Sequence, residues 1–229
     1  MDTNKTKEVV IFIAPPGAGK GTQTNIIEDK LGYTHIESSK VIEGKFNDGD
    51  QKDPRIIEAR EQWHSGELVN PESVTMWMTE KMKEVFKRGE SIILSGSPRT
   101  LYEAEEEVPL LEELYGKDNI KVFHITLPEE ESIRRNSKRR ICKAERHPIP
   151  DIPRYKDIDG CPWDGSEVTT RALDNPEVIK ERLKEYKNRT EPVIKYMIDR
   201  GYSIIEINGN ESIESVSHEI LKYFNHDTD

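Results

Sequence analysis

The chain has 229 residues, of which 34% are charged and 7% aromatic, which fits one α/β domain with an inserted subdomain. The formal net charge of −10 argues against a nucleic-acid partner bound through a basic surface. The two cysteines, Cys142 and Cys161, are too few for a disulfide scaffold, and no apolar run approaches the roughly 20 residues that span a bilayer.

The N-terminal segment, MDTNKTKE, is polar and lacks the apolar region of a signal peptide. We therefore expect a cytoplasmic protein without a membrane partner. The next residues, 9–14, form a short apolar run that is rich in β-branched side chains. Such a run predicts a strand that is buried on both faces of a parallel sheet.

A glycine-rich loop follows this strand and leads into a helix predicted for residues 20–31. Gly17, Gly19 and Gly21 surround Lys20, and Thr22 comes directly after them. The glycines let backbone N–H groups approach phosphate oxygens, the helix N-terminus supplies positive potential, and the lysine reaches the outer phosphates. A strand-to-helix turn without a ligand is the alternative, but the lysine and the hydroxyl in register favour a phosphate cradle.

Strands and helices alternate along the rest of the chain. Further strands are predicted at residues 33–37, 91–94, 121–127 and 202–207, and helices at 40–63 (in pieces), 71–87, 101–115, 129–140, 175–200 and 212–224. Residues 141–170 break this alternation, since they contain four prolines and both cysteines and show no helical period. They predict a small inserted lobe of turns and short strands, whereas the alternation implies a parallel sheet covered on both faces.

Five arginines are the other candidates for phosphate chemistry. Arg99 follows a predicted strand, Arg135 and Arg139 are four residues apart on a predicted helix and would share one face, and Arg171 and Arg182 follow the inserted lobe. A single arginine usually lies on the surface. These arginines, however, lie at element ends that converge on the carboxyl edge of a parallel sheet, where the phosphate loop also lies. Phosphoryl transfer needs such cations around the developing charge.

The chain resembles the adenylate kinase family, the nucleoside monophosphate kinases with a phosphate loop and a mobile lid. The resemblance rests on seven segments in the family's order: PPGAGKGTQ (15–23), GELVNPE (66–72), GSPRT (96–100), RNSKRR (135–140), CPWDG (161–165), RALDNPEVIKERLKEY (171–186) and TEPVIKY (190–196). It implies a P-loop three-layer α/β fold, with a parallel five-stranded sheet and helices on both faces. It also implies a monomer that transfers a phosphoryl group directly from ATP, bound with Mg²⁺, to a nucleoside monophosphate, most simply AMP.

The resemblance also assigns regions and residues. One kinase domain, 1–229, would have a core of 8–39, 70–140 and 171–229, a helical acceptor lobe of 40–69 and a lid of 141–170. The implied catalytic residues are Lys20, Arg99, Arg135, Arg139, Arg171 and Arg182. ATP would be bound by Pro16, Gly17, Ala18, Gly19, Lys20, Gly21, Thr22, Arg135 and Arg139. The acceptor would be bound by Ser38, Glu43, Glu67, Leu68, Val69, Gly96, Arg99, Glu103, Arg171 and Arg182.

The acceptor side departs from the family pattern. Thr-Gly-Asp-x-x-Arg in the family aligns with Ser38, Ser39, Lys40 and Glu43, so a carboxylate that would repel a phosphate replaces an arginine. Asp-Gly-Phe-Pro-Arg in the family aligns with a segment that starts at Ser95. Both aspartates that would orient magnesium-bound water, at positions 40 and 95, are therefore absent.

The base-reading position also differs. The family's glutamine, which reads the adenine of the acceptor, aligns with Glu103. An ionised glutamate only accepts hydrogen bonds, so it suits the N–H groups of guanine better than adenine N1. Two alternatives to an adenylate kinase follow: a kinase for another monophosphate such as GMP, and a non-catalytic relative that binds ATP.

The inserted lobe carries a candidate metal site. Cys142-x-x-Glu145 and Cys161-x-x-Asp164 align with the positions where some family members place paired zinc ligands, and His147 could substitute for Glu145. Four such ligands can hold a structural zinc ion. The alternative is a lobe held by packing and hydrogen bonds, with two free thiols.

Overall fold

The computed structural model describes residues 6–65, 69–170 and 175–224. In chain order the elements are β1 (Val9–Ile13), α1 (Lys20–Leu31), β2 (Thr34–Glu37), α2 (Ser38–Asp48), α3 (Pro54–Ser65), α4 (Pro71–Lys87), β3 (Ile92–Ser95), α5 (Leu101–Tyr115), β4 (Ile120–Thr126), α6 (Glu129–Ser137), β5 (Arg140–Cys142), β6 (Pro148–Ile149), β7 (Val168–Thr170), α7 (Pro176–Glu185), α8 (Glu191–Asp199), β8 (Ile204–Asn208) and α9 (Ile213–Leu221). Within these three ranges, no helix has the length and apolar character needed to cross a bilayer.

The chain forms two compact units. The first unit comprises Met1–Ile13, Thr24–His124 and Arg189–Glu206. The second unit comprises Ala14–Gln23, Ile125–Asn188 and Ile207–Asp229.

The main sheet has five strands in the order β2-β3-β1-β4-β8. The central strand, β1, pairs in parallel with two neighbours, so that Val9 lies opposite Ile92 of β3 and Ile120 of β4. Strand β2 is parallel to β3, with Thr34 opposite Ile92. Every residue of β1 and β3 is buried, which is why β1 and the first three residues of β3 are apolar. The predicted parallel five-stranded α/β fold with helices around the sheet is confirmed.

Two helices of the first unit begin at residues whose side chains cap them. Asn70 Oδ1 accepts the N–H of Glu72 at 2.9 Å, and Pro71 occupies the first helical position of α4. At the start of α5, Thr100 Oγ1 accepts the N–H of Glu103 at 3.2 Å. These bonds satisfy N–H groups that have no partner within the helix. Both helices therefore begin where the sequence predicts.

The inserted lobe contains a small antiparallel sheet in the order β6-β5-β7. Ile141 of β5 lies opposite Pro148 of β6 on one side and Thr169 of β7 on the other. A short 3₁₀ segment, Pro153–Tyr155, lies in the connection between β6 and β7. The lobe thus has the turns and short strands that the sequence predicts.

The helix before the lobe is shorter than predicted. Helix α6 ends at Ser137, and the N–H of Arg139 donates to the carbonyl oxygen of Asn136 at 3.1 Å. The next residue, Arg140, already begins β5. The prediction that Arg135 and Arg139 share a helix face is therefore wrong, because the chain leaves the helix to enter the lobe.

The long helix predicted after the lobe is interrupted. A π-helical turn, Tyr186–Thr190, joins α7 to α8. Pro192, in the first turn of α8, has no N–H to donate, and its ring would crowd the carbonyl group four residues earlier in a regular α-helix. A wider turn immediately before the proline accommodates this conflict.

Candidate active site

A glycine-rich loop follows β1 and leads into α1. Gly17 and Gly19 have φ angles of 78° and 84°, values that other residues rarely adopt. The N–H of Ala18 donates to the Pro15 carbonyl at 3.4 Å, and the N–H of Gln23 donates to the Gly19 carbonyl at 3.0 Å. The first turn of α1 contains no acidic residue, so its own side chains do not offset the positive potential of the helix N-terminus. This geometry suits an anion.

Two side chains of α6 support the loop within the second unit. Ser132 Oγ donates to the Pro16 carbonyl at 2.6 Å, and Asn136 Nδ2 donates to the Ser132 carbonyl at 2.8 Å. A Cβ atom on Gly17 would lie 2.5 Å from Asn136 Nδ2, so a larger residue there would have to displace this side chain. The sequence does not single out Ser132 or Asn136, because their role depends on the packing of α6 against the loop.

Arg135 is held beside the same loop. Its Nε donates to Glu131 Oε1 at 2.6 Å, and its Nη1 donates to the Gly209 carbonyl at 2.8 Å. Gly209 itself lies against the loop, since a Cβ atom there would be 3.3 Å from the Ala18 carbonyl oxygen. Hydrogen bonds from Arg134 and Arg135 lower the pKa of Glu131 to about 2, so this carboxylate stays ionised. Gly209 escapes sequence analysis because Asn-Gly-Asn reads as an ordinary turn.

The other predicted donor-side residues lie in the same unit. Lys20 and Thr22 are half-buried in the first turn of α1, and Arg139 is half-buried between α6 and β5. Arg182 is half-buried on α7, which packs against α6. Arg171 lies outside the described residues. The second unit therefore combines the phosphate loop with Arg135, Arg139 and Arg182.

Three predicted acceptor residues lie together in the first unit. Ser38 Oγ donates to the Gly96 carbonyl at 2.8 Å. Gly96 has a φ angle of 84°, and a Cβ atom there would be 2.6 Å from Arg99 Nη2 and 2.9 Å from Ser38 Oγ. Thr190 Oγ1 donates to the Arg99 carbonyl at 3.0 Å. A guanidinium over a glycine, beside a hydroxyl, suits a phosphate group.

The departures from the family pattern are visible around these residues. On α2, Lys40 is exposed and Glu43, one turn later, is half-buried. Ser95 Oγ and His35 Nε2 share a hydrogen bond at 2.5 Å, so Ser95 is engaged with a neighbouring strand. Neither position 40 nor position 95 offers a carboxylate for magnesium-bound water. The remaining predicted acceptor residues are Val69, which is buried, and Glu67 and Leu68, which lie outside the described residues.

The Glu103 carboxylate is engaged in hydrogen bonds with neighbouring residues. Its side chain is buried, with Oε2 accepting the N–H of Arg99 at 2.6 Å and Oε1 accepting the hydroxyl of Thr100 at 3.2 Å. Burial raises the pKa of this carboxyl, and the hydrogen bond from the Arg99 N–H opposes the shift. Both carboxylate oxygens are bonded to donors from the start of α5, so an acceptor base would have to compete with these donors for Glu103.

Four potential metal ligands converge in the lobe of residues 141–170. The ligand atoms of Cys142, His147, Cys161 and Asp164 all lie within 4.8 Å of one another. His147 Nδ1 is 3.5 Å from each sulfur and 3.1 Å from Asp164 Oδ2. Two thiols, an imidazole and a carboxylate are ligand types that zinc accepts in tetrahedral sites.

His147, the alternative to Glu145 in the predicted ligand set, is the residue that lies beside the two thiols. Glu145 is exposed in the turn between β5 and β6. Arg146 has a φ angle of 58°, and beyond it the N–H of His147 donates to Cys142 Sγ at 3.2 Å. The turn therefore directs the fifth residue after the cysteine, not the third, toward the thiol.

The chain is similar to known proteins over most of its length. A family model described as "Adenylate kinase" matches residues 12–202. A protein named adenylate kinase from Oceanobacillus iheyensis is 32% identical over 214 residues, which are 92% of this chain and 96% of that protein. Adenylate kinases from Archaeoglobus fulgidus and Methanothrix thermoacetophila are each 34% identical over 92% and 93% of this chain, and over 95% and 96% of their own lengths.

Proposed function

The chain belongs to the adenylate kinase family, and we propose that it transfers the γ-phosphoryl group of ATP to AMP, which gives two molecules of ADP. One observation carries this proposal. Two groups of residues made from different elements each suit a phosphate: the loop between β1 and α1, and Ser38, Gly96 and Arg99. A protein that only binds ATP needs the first, whereas a nucleotide kinase needs both.

The phosphate loop takes the donor, ATP with its Mg²⁺. Loop N–H groups and Lys20 bind the β- and γ-phosphates, and the Thr22 hydroxyl is suited to hold the ion. Mg²⁺ neutralises negative charge on the phosphates. Arginines that would surround the transferred group are Arg135, Arg139, Arg171 and Arg182.

The acceptor phosphate binds to Arg99, and Ser38, whose one hydroxyl proton bonds the Gly96 carbonyl, lines the same place. A guanidinium can bond two phosphate oxygens at once, and Gly96 leaves room for it. Glu43, on the same helix as Ser38, repels a phosphate, so we expect weaker binding of AMP than an arginine at that position would give. Lys40 and Ser95 cannot orient magnesium-bound water as carboxylates do, so we also expect slow turnover.

Transfer is direct and in line. A phosphate oxygen of AMP attacks the γ-phosphorus as the bond to the bridging oxygen of ADP breaks, and no covalent enzyme intermediate forms. Cations offset the charge on the three equatorial oxygens. We assign residues 141–170 as a lid that excludes water from this step, residues 40–69 as the acceptor lobe, and 8–39, 70–140 and 171–229 as the core of one kinase domain.

The lid residues fit a structural zinc ion. Cys142, His147, Cys161 and Asp164 would supply four ligands, and the two thiols favour zinc over magnesium or calcium. The ion would fasten the turn between β5 and β6 to the segment that contains Cys161. Its role would be the stability of the lid and not the chemistry of transfer.

We further propose a cytoplasmic monomer that binds neither nucleic acid nor membranes. The net charge of −10 supports the absence of a nucleic-acid partner. Sedimentation equilibrium at several protein concentrations tests the monomer, because a dimer would give twice the mass of the chain.

The proposed reaction is tested by ³¹P NMR of ATP, Mg²⁺, AMP and the protein. The expected result is the loss of ATP and AMP together, with two ADP formed for each ATP consumed. ATP binding without any ADP would instead support a non-catalytic relative. A GMP kinase has less support, because the carboxylate of Glu103 is already bonded to Arg99 and Thr100.

A further inference from the structure

Two carboxyl groups of α5 are buried beside residues 96–100, which we call the acceptor loop. Glu103 is 4% exposed and Glu107 is 0% exposed. The Ser97 hydroxyl connects them: its Oγ lies 2.6 and 2.8 Å from the two oxygens of Glu107 and 3.3 Å from Oε2 of Glu103. Buried carboxyl groups are rare unless a partner satisfies them, and phosphoryl transfer makes no direct use of Glu107.

The protons in this group can be assigned by counting donors. Ser97 has one hydroxyl proton and two carboxyl neighbours, so it donates to only one of them. Burial, and then the charge of Glu103, raise the pKa of Glu107 well above its ordinary value. Burial also raises the pKa of Glu103, but hydrogen bonds from Arg99 and Thr100 oppose that rise. Glu107 is therefore the protonated partner and donates to Ser97 Oγ, which leaves the Ser97 hydroxyl to donate to Glu103.

These connected hydrogen bonds end at the backbone of Arg99. Glu103 Oε2 accepts the Arg99 N–H at 2.6 Å, and Thr190 Oγ1 donates to the Arg99 carbonyl at 3.0 Å. Both backbone polar groups of Arg99 are thus held by side chains. Ser97 and Arg99 both donate to Glu103 Oε2, so these two hydrogen bonds fix the position of that carboxylate oxygen beside the Arg99 backbone.

We propose that Glu107 and Ser97, acting through Glu103, are positioning residues that hold Arg99 in place to bind the acceptor phosphate. We call this group the Ser97 relay. The proposal rests on the proposed function, because that function gives Arg99 its phosphate. A role in starting α5 does not explain Glu107, since the Thr100 side chain already accepts the N–H of Glu103 there.

Three variants separate the relay from simple packing. Ser97→Ala removes the connecting hydroxyl, and Glu107→Leu removes the donor but keeps a side chain of similar size. Glu107→Gln keeps a neutral donor at the same place. Glu106→Gln, at an exposed neighbour on the same helix, is the matched control.

We expect the relay variants to act on the acceptor and not on the donor. Ser97→Ala and Glu107→Leu should raise KM for AMP about fivefold to tenfold, the effect of about one lost hydrogen bond. They should change kcat less than KM and leave KM for ATP within about twofold. Glu107→Gln and Glu106→Gln should leave all three values within about twofold of the unmodified protein. An unchanged KM for AMP in Ser97→Ala, or an equal rise for both substrates, would overturn the proposal.

A second measurement does not depend on catalysis. In an NMR spectrum of the full chain, the amide proton of Arg99 should lie downfield, because it donates to a carboxylate. This signal should shift in Ser97→Ala and Glu107→Leu, because the Glu103 carboxylate is no longer held by Ser97, but not in Glu107→Gln, and an unmoved signal in Ser97→Ala would overturn the relay. If the chain phosphorylates no AMP, the proposed function fails while this signal still decides the relay. If Glu107→Leu does not fold, the Arg99 amide signal in Ser97→Ala still tests the relay.

Discussion

Asn136 Nδ2 occupies the space that a side chain on Gly17 would need, since a Cβ atom there would lie only 2.5 Å away. Gly17 also has a φ angle of 78°. Gly17→Ala should therefore weaken ATP binding by tenfold or more, because strain and overpacking together cost about 2 kcal/mol or more. Isothermal titration with ATP measures this loss, and thermal unfolding reports any general loss of stability.

Gly19 provides the matched control for this substitution. It has a similar φ angle of 84°, but a Cβ atom there would have no neighbour within 4 Å among the described residues. Gly19→Ala should therefore carry the backbone strain without the clash and should lose less affinity. Equal losses in the two variants would show that Asn136 does not restrict the loop.

Charge at the acceptor side should limit the use of AMP. Replacing Glu43 by arginine and Lys40 by aspartate should lower KM for AMP by about tenfold, because repulsion of the phosphate becomes attraction. Glu43→Arg alone adds two positive charges, and Asp48→Arg, which adds the same charge at the exposed end of α2, is its control for long-range effects. If the double variant loses AMP activity, Lys40 and Glu43 have a positive role in the present protein.

The four potential ligands in the lid predict that His147, and not Glu145, binds zinc. His147→Ala should lose the metal and lower the melting temperature, because it removes one of four ligands. Glu145→Ala, only two residues earlier and exposed, should keep both. Elemental analysis of protein purified without added metal measures the zinc content. Zinc absent from the unmodified protein, or lost equally in both variants, would contradict the assignment.

Glu107 should make stability depend on pH. Its pKa is raised on folding from an ordinary 4.5, so above that value the folded protein binds more protons than the unfolded chain. Stability must then fall as pH rises toward the folded-state pKa, by about 1.4 kcal/mol per pH unit. Glutamine cannot ionise, so the advantage of Glu107→Gln over the unmodified protein should grow from about pH 5 upward. Urea unfolding at several pH values tests this, and a constant difference would contradict it.

Local signals were sufficient to predict the order of the elements. Asn70, Pro71 and Thr100 each act on N–H groups within a few residues, so a helix start can be recognised in a short segment of sequence. The end of α6 was missed because it depends on the lobe that begins at Arg140. The π-helical turn was missed although Pro192 marks its position, because a proline in the first turn of a helix is usually tolerated.

The candidate site was predictable only where a motif is continuous in sequence. The phosphate loop is such a motif, whereas Gly209 and Asn136 reach it from distant elements, and no sequence pattern links either residue to the loop. A family pattern likewise predicts that Glu103 faces a base, but it does not reveal the competing donors, the Arg99 N–H and the Thr100 hydroxyl. Which of several available donors a carboxylate binds is decided by tertiary packing.

The most direct test of the central claim is a comparison of kcat/KM for AMP, GMP, CMP, UMP and dTMP with saturating ATP and Mg²⁺. Our account predicts that AMP has the highest value, limited by a high KM because Glu43 opposes its phosphate. A higher value for GMP would show that the acceptor is guanine-specific, and the absence of any product with ATP still bound would show that the chain is not a kinase. Either result would contradict the assignment of AMP as the acceptor.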